Sequence, residues 1–271
     1  MAGPKLILMG LMLWGAAVAA LADPVRPDPA EPPKDSVTMT DTEIKLPGVT
    51  INRETREVRI EATACLETGI LEYVVCRPNT FEHEAIFTTD AKPELVHAAL
   101  LLTGLKPTPQ LRGLTDLWWD KALKQKESRV KIEVEWEDQG IKKRVNLSSL
   151  LRSREGTQGE QGEKDPAKKK AEVRDAWVFA GSFLQTNPKT GQRVYAGNLS
   201  GILVGIWPDP STVIQYGIAS GNPYDGKDLG MEINEELIPK LDTKVNLVFS
   251  RFEPLQANPL KKEQPEPSDK N

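Results

Sequence analysis

The chain has 271 residues, 39 acidic against 35 basic side chains, and a formal net charge of −4 at neutral pH. A mildly acidic surface excludes nonspecific nucleic-acid binding, which needs a basic face to displace counterions. A hydrophobic fraction of 39% and six tryptophans suffice for a real core, and the length suits one elaborated domain or two intimate subdomains.

The first residues read as a secretory signal. Lys5 supplies the positive start, Leu6 to Leu13 the apolar run, and Ala20-Leu21-Ala22 a small-x-small cleavage site before Asp23. A membrane anchor is the weaker reading. The run is short, and Pro24, Pro27, Pro29, Pro32 and Pro33 follow it in place of a basic stop-transfer cluster. The expectation is a signal peptide over 1–22 and a periplasmic or secreted protein, not membrane-anchored after cleavage. Residues 23–42 begin rich in proline and charge and read as an extended linker.

The ordered domain is expected over 43–253. In EVRIEATA, Val58, Ile60, Ala62 and Ala64 alternate with Arg59, Glu61 and Thr63, the period of a half-buried strand. Turn residues at Thr68-Gly69 and Pro78-Asn79 lead into ILEYVV and FEHEAIFTT, which predicts a three-stranded antiparallel meander. A helix is expected over about 90–104, with Asp90 as cap, Pro93 in the first turn and Gly104 at the end. Leu95, Val96, Ala98, Ala99, Leu100, Leu101 and Leu102 leave it apolar nearly all round, which predicts burial. RVKIEVEWE alternates cleanly, and Asp138-Gln139-Gly140 turns it into IKKRVNL as a hairpin.

Residues 152–172 have charge, glycine and glutamine but no apolar period, and read as a disordered insertion. AWVFAGSF, RVYAGNLSGILVGIW, STVIQYGIA and KVNLVFSRF read as further strands, and 254–271 as a mobile polar tail. The totals predict an α+β fold, mostly antiparallel sheet with one well-defined buried helix and few others.

Cys65 to Pro107 holds both cysteines and both histidines of the chain. An even cysteine count in an exported protein makes a Cys65–Cys76 disulfide the plain reading, worth roughly 2–3 kcal/mol for so short a loop. A tight hairpin at Thr68-Gly69 argues against it, because Cys65 then faces Leu71 or Glu72. His83, read on a strand face with Phe81 and Phe87, is a hydrogen-bonded core histidine or an acid/base group. His97, mid-helix, carries the same pair of readings, with Glu94 one turn earlier to orient it. Cys65, Cys76, His83 and His97 are the ligand types for zinc or a similar transition metal, at a spacing that matches no compact motif. Glu82, Glu84 and Glu94 would line a pocket there.

Other templates fail. HEAIF lacks the second histidine of a zinc protease, Ser200 sits one place late for G-x-S-x-G, and no P-loop, dinucleotide fingerprint or C-x-x-C occurs. Asp225 and Asp228 do not make a calcium loop. Trp118-Trp119 is read as core packing rather than an aromatic platform.

CLETGILEYVVC, FEHEAIF, VHAALLLTGLKP, AWVFAGSF and SGNPYDG, in that order, resemble the landmarks of the YdjY-like domain family over roughly Leu46 to Phe252. The resemblance implies an exported bacterial domain without an assigned activity, and it supplies no catalytic residues to transfer. Some relatives are described as ferredoxin-like, but the cluster-binding cysteines are absent here. Two readings follow. The first is a non-catalytic binding or structural module without a cofactor, serving a protein, cell-envelope or small-molecule partner. The second is a metal-binding or redox protein using Cys65, Cys76, His83 and His97.

Overall fold

A computed structural model describes residues 36–108, 121–154, 173–218 and 230–253. The signal sequence, Trp118-Trp119, most of the charged insertion, Asp225, Asp228 and the C-terminal tail lie outside the described residues. No helix among the described residues is long and apolar enough to cross a membrane.

Eight strands form a closed ring. In chain order they are β1 (Glu57–Ala64), β2 (Tyr73–Cys76), β3 (Phe87–Thr88), β4 (Arg129–Asp138), β5 (Trp177–Phe179), β6 (Ile202–Gly205), β7 (Ile214–Tyr216) and β8 (Lys244–Arg251). Around the barrel the order is β1-β8-β4-β5-β7-β6-β2-β3 and back to β1. Closure rests on β3, where Phe87 pairs with Ala64 of β1 on one side and Val75 of β2 on the other. The β2–β3 and β6–β7 pairs are parallel and the rest antiparallel.

The regular part of the wall is β1, β8 and β4. β8 lies between the other two, pairing from Lys244 to Phe249 with β1 and from Asn246 to Arg251 with β4. Strand period 2 sends Val58, Ile60, Val130, Ile132, Val134, Leu247 and Phe249 into the core. Each such side chain contributes on the order of 2 kcal/mol through burial. The outer face is charged. Arg144 donates to Glu133, Glu135 and Glu57, and Arg59 pairs with Glu135. The hairpin from β4 into Ile141–Asn146 turns on Gln139 (φ 50°) and Gly140 (φ 79°). Two consecutive left-handed residues make the turn whose twist matches the paired strands.

The expected α+β class is overturned. The molecule is mostly β, with 41% strand, 16% helical residues and a closed eight-stranded barrel. Much of the ring consists of strands two to four residues long, such as Phe87–Thr88 and Ile202–Gly205, too short to show a period in the sequence. The meander is also corrected. Ile70–Leu71 belongs to a separate three-stranded sheet, while β2 and β3 run parallel and are not joined by a tight turn. RVYAGNLSGILVGIW is not one continuous strand, because helix α2 (Ala196–Ser200) separates Arg193–Tyr195 from β6.

Helix α1 spans Pro93–Leu102 and buries Val96, Ala99 and Leu100. It is not buried all round, since Leu101 is 46% and Leu102 60% exposed. A helix laid on the outside of a barrel needs only one apolar stripe, so the extra leucines face outward.

Candidate functional site

Two polar clusters lie on the irregular side of the barrel. The first is built on His97 of α1. Its Nδ1 is 2.9 Å from the Gly181 carbonyl and 2.8 Å from the Tyr195 hydroxyl, and that hydroxyl donates to the same carbonyl at 2.9 Å. A ring nitrogen this close to a carbonyl oxygen must carry the proton, so the geometry assigns the Nδ1–H tautomer and leaves the Nε2 lone pair unprotonated. The imidazole stands edge-on to Phe179 and Tyr195. Burial pushes the His97 pKa down and the Gly181 contact opposes it, with a net lowering that favours the neutral ring.

Sequence explains why these groups meet. Gly181 follows β5 at φ 84°, and a Cβ there would lie 2.6 Å from Pro107 Cβ. Only glycine therefore lets the chain pass under His97 with its carbonyl turned outward. Ser182 continues in the left-handed region (φ 52°), and its Oγ accepts from the Gly197 N–H at 3.1 Å. Asn198 Oδ1 of α2 accepts from the Glu94 N–H at 3.1 Å. Thus α1, the β5 exit and α2 are fastened together. Glu94 enters through its backbone, while its position beside the cluster helps raise the Tyr195 pKa, which burial raises most.

The second cluster surrounds residues 77–86, the connection between parallel strands β2 and β3. FEHEAIF is not extended here, and Glu82–Glu84 form a short 3₁₀ turn. Asn79 takes φ 63°, and the Glu82 carboxylate accepts from the Asn79 and Thr80 N–H groups, a local bonding pattern that competes with strand pairing. These bonds are among the causes that lower the Glu82 pKa. His83 therefore does not share an apolar face with Phe81 and Phe87. Its side chain is 72% exposed, with Nε2 3.7 Å from Glu84.

Cys65 and Cys76 are free thiols on either flank of β3. The Cys65 N–H donates to Ile86 O, and the Thr89 N–H donates to Cys76 O. Two strand spacings separate them, roughly 10 Å, whereas a disulfide brings Cα atoms within about 7 Å. Cys65 Sγ donates to Ala85 O at 3.3 Å, and burial pushes its pKa up to about 12. Burial also raises Cys76, which packs with Tyr73, Ala85 and Ile202. Among the described residues no three His, Cys, Asp or Glu side chains could together hold a metal ion. His83 sits on the turn and His97 on the helix clasp, so the four metal candidates do not form one site.

Gly181, Ser182, Tyr195 and Asn198 were not legible as site residues. Tyr195 and Asn198 lie in a stretch that reads as strand.

The fold and site define a closed β-barrel domain with a helix clasped to its side. The chain belongs to the YdjY domain family, whose model matches residues 49–250. No curated protein and no solved structure matches the chain.

Proposed function

We propose that this chain is an exported, non-catalytic binding or structural module, serving a protein, cell-envelope or small-molecule partner. The observation that carries the reading is how the His97 cluster spends its polar groups. His97 Nδ1, the Tyr195 hydroxyl and Ser182 Oγ all bond to backbone atoms of neighbouring segments. These bonds fasten α1, the β5 exit and α2 to one another, and the imidazole that carries the remaining atom, Nε2, is packed edge-on against Phe179 and Tyr195. The same elements leave Leu101, Leu102, Leu184 and Leu199 exposed, apolar area available for contact.

The export component rests on the N-terminal sequence and is tested by N-terminal sequencing of the protein recovered outside the cytoplasm. A new terminus at Asp23 supports it, and an intact Met1 in the cytoplasm contradicts it. The binding component is tested with a photo-crosslinking residue in place of Leu102, compared with the same residue at Lys142 on the charged face. Discrete adducts from position 102 alone support the reading. Equal behaviour at both positions removes its basis.

A further inference from the structure

A cleft of about 900 Å³ lies on the outer face of the wall, between the start of β1, β4 with its hairpin strand, and the end of β8. Small-molecule sites have volumes of roughly 300–1,000 Å³. The period that sends Val130, Ile132 and Val134 inward sends Lys131 and Glu133 out to line it. Its charge is spent internally. Among the described residues four basic and four acidic side chains line the cleft. Arg144 pairs with Glu57 and Glu133, and Lys131 pairs with Glu133. The cleft therefore has no excess charge with which to select an ion.

Hydrogen-bonding capacity is left over instead. Asn146 is committed at both ends of its amide. Its Oδ1 accepts from the Ser148 N–H at 2.8 Å, and its Nδ2 donates to Asp175 Oδ2 at 2.8 Å. That bond fixes the Asp175 carboxylate on the cleft wall and leaves its other oxygen, Oδ1, buried without a partner. Arg129 Nη2 donates to the Asp175 carbonyl at 2.7 Å, and the Nε of the same guanidinium is likewise buried and unpaired. Buried polar atoms are paired as a rule, so an unpaired acceptor close to an unpaired donor suits a group that can serve both. A hydroxyl is such a group, whereas a carboxylate only accepts and an ammonium only donates. Phe252, with the Arg129 guanidinium 4.3 Å over its ring, adds apolar surface to the wall, and Thr55 and Ser250 add hydroxyl-bearing side chains.

We propose that this cleft binds an uncharged, hydroxyl-rich ligand of the saccharide class, with the Asp175 carboxylate as its principal acceptor. The inference goes beyond the binding-module reading. It does not rest on the exposed leucines, so the two tests can fail separately.

The test is a titration of the nitrogen-15-labelled full chain with maltotriose, cellotriose and chitotriose, followed through backbone amide shifts. Shifts should concentrate at 55–57, 144–146, 175 and 250–253. The affinity should change by less than about twofold between about 50 and 500 mM salt, because an uncharged ligand is not screened. Asp175→Asn keeps an acceptor for Asn146 and should weaken binding about tenfold, the scale of a hydrogen bond to a charged acceptor. Ser250→Tyr fills the cleft and should abolish binding, while Leu102→Ala should leave it unchanged. Absence of shifts at the cleft with all three sugars overturns the proposal. So does binding that both cleft variants leave intact. Tighter binding of galacturonate or diglycine there would assign the cleft to an ionic ligand and overturn it too.

Discussion

The β1–β8–β4 wall and the β2–β3 seam close the same barrel by different means. The wall uses long registers, strict alternation and a charged outer face. The seam uses a two-residue strand, a 3₁₀ turn and side-chain bonds to backbone atoms. Where strands are long, cooperativity along the ladder carries the structure. Where they are short, individual polar contacts must do so, and chemically suggestive residues are used as fasteners.

The largest test of that contrast is Phe249→Ala. Phe249 is fully buried in the wall, and its loss should cost about 3–5 kcal/mol in denaturant unfolding. A loss below about 1 kcal/mol would mean the wall is not the core described. Next comes Gly181→Ala. The positive φ and the close approach of Pro107 should together cost about 2–3 kcal/mol, or prevent the loop from seating. Unchanged stability would remove the reason for a glycine beneath His97.

His97→Ala should cost about 1–2 kcal/mol, the worth of its bonds to Gly181 and Tyr195. His97→Asn, which can present a donor near the position of Nδ1, should recover part of that, whereas Gln should recover less. Equal loss in all three would point to ring packing alone. The smallest effect is expected at Arg144. It has three carboxylate partners, yet its side chain is 41% exposed, so Arg144→Ala should change stability by only about 1 kcal/mol or less.

Titration sharpens the comparison because the two regions respond with opposite sign. In the wall, the hydrogen bond from Arg144 is the chief cause that lowers the Glu133 pKa. A lowered carboxylate stabilises above its unfolded pKa and loses that contribution as pH falls through the folded value. At the seam, burial raises the Glu72 pKa, and its contribution is lost as pH rises through the folded value. Exchange followed by region should show the wall weakening towards acid and the start of β2 weakening towards base. A common response in both regions would erase the distinction.

This division also explains what could be read in the sequence. Val130, Ile132, Val134 and Trp136 announce their strand by alternation, and Gln139-Gly140 announces the hairpin. The family landmarks likewise placed the domain, and its matched range confirms the family. Barrel closure was not legible, because Phe87-Thr88 is too short to carry a period and pairs with segments far apart in sequence. His83 was placed on a strand because FEHEAIF alternates, whereas the Glu82 cap and the left-handed Asn79 select a turn. His97 stood out in the sequence as a mid-helix histidine, but Gly181 and Tyr195 reach it only through the tertiary fold.

The central claim is that His97 is a fastening donor through Nδ1 rather than a group held ready for chemistry there. The most direct measurement is nitrogen-15 NMR of the histidine ring in the folded protein at neutral pH. The account predicts a neutral His97 with the proton on Nδ1, protected from exchange and shifted when Tyr195 is changed to Phe. A proton on Nε2, with Nδ1 free as an acceptor, would contradict it.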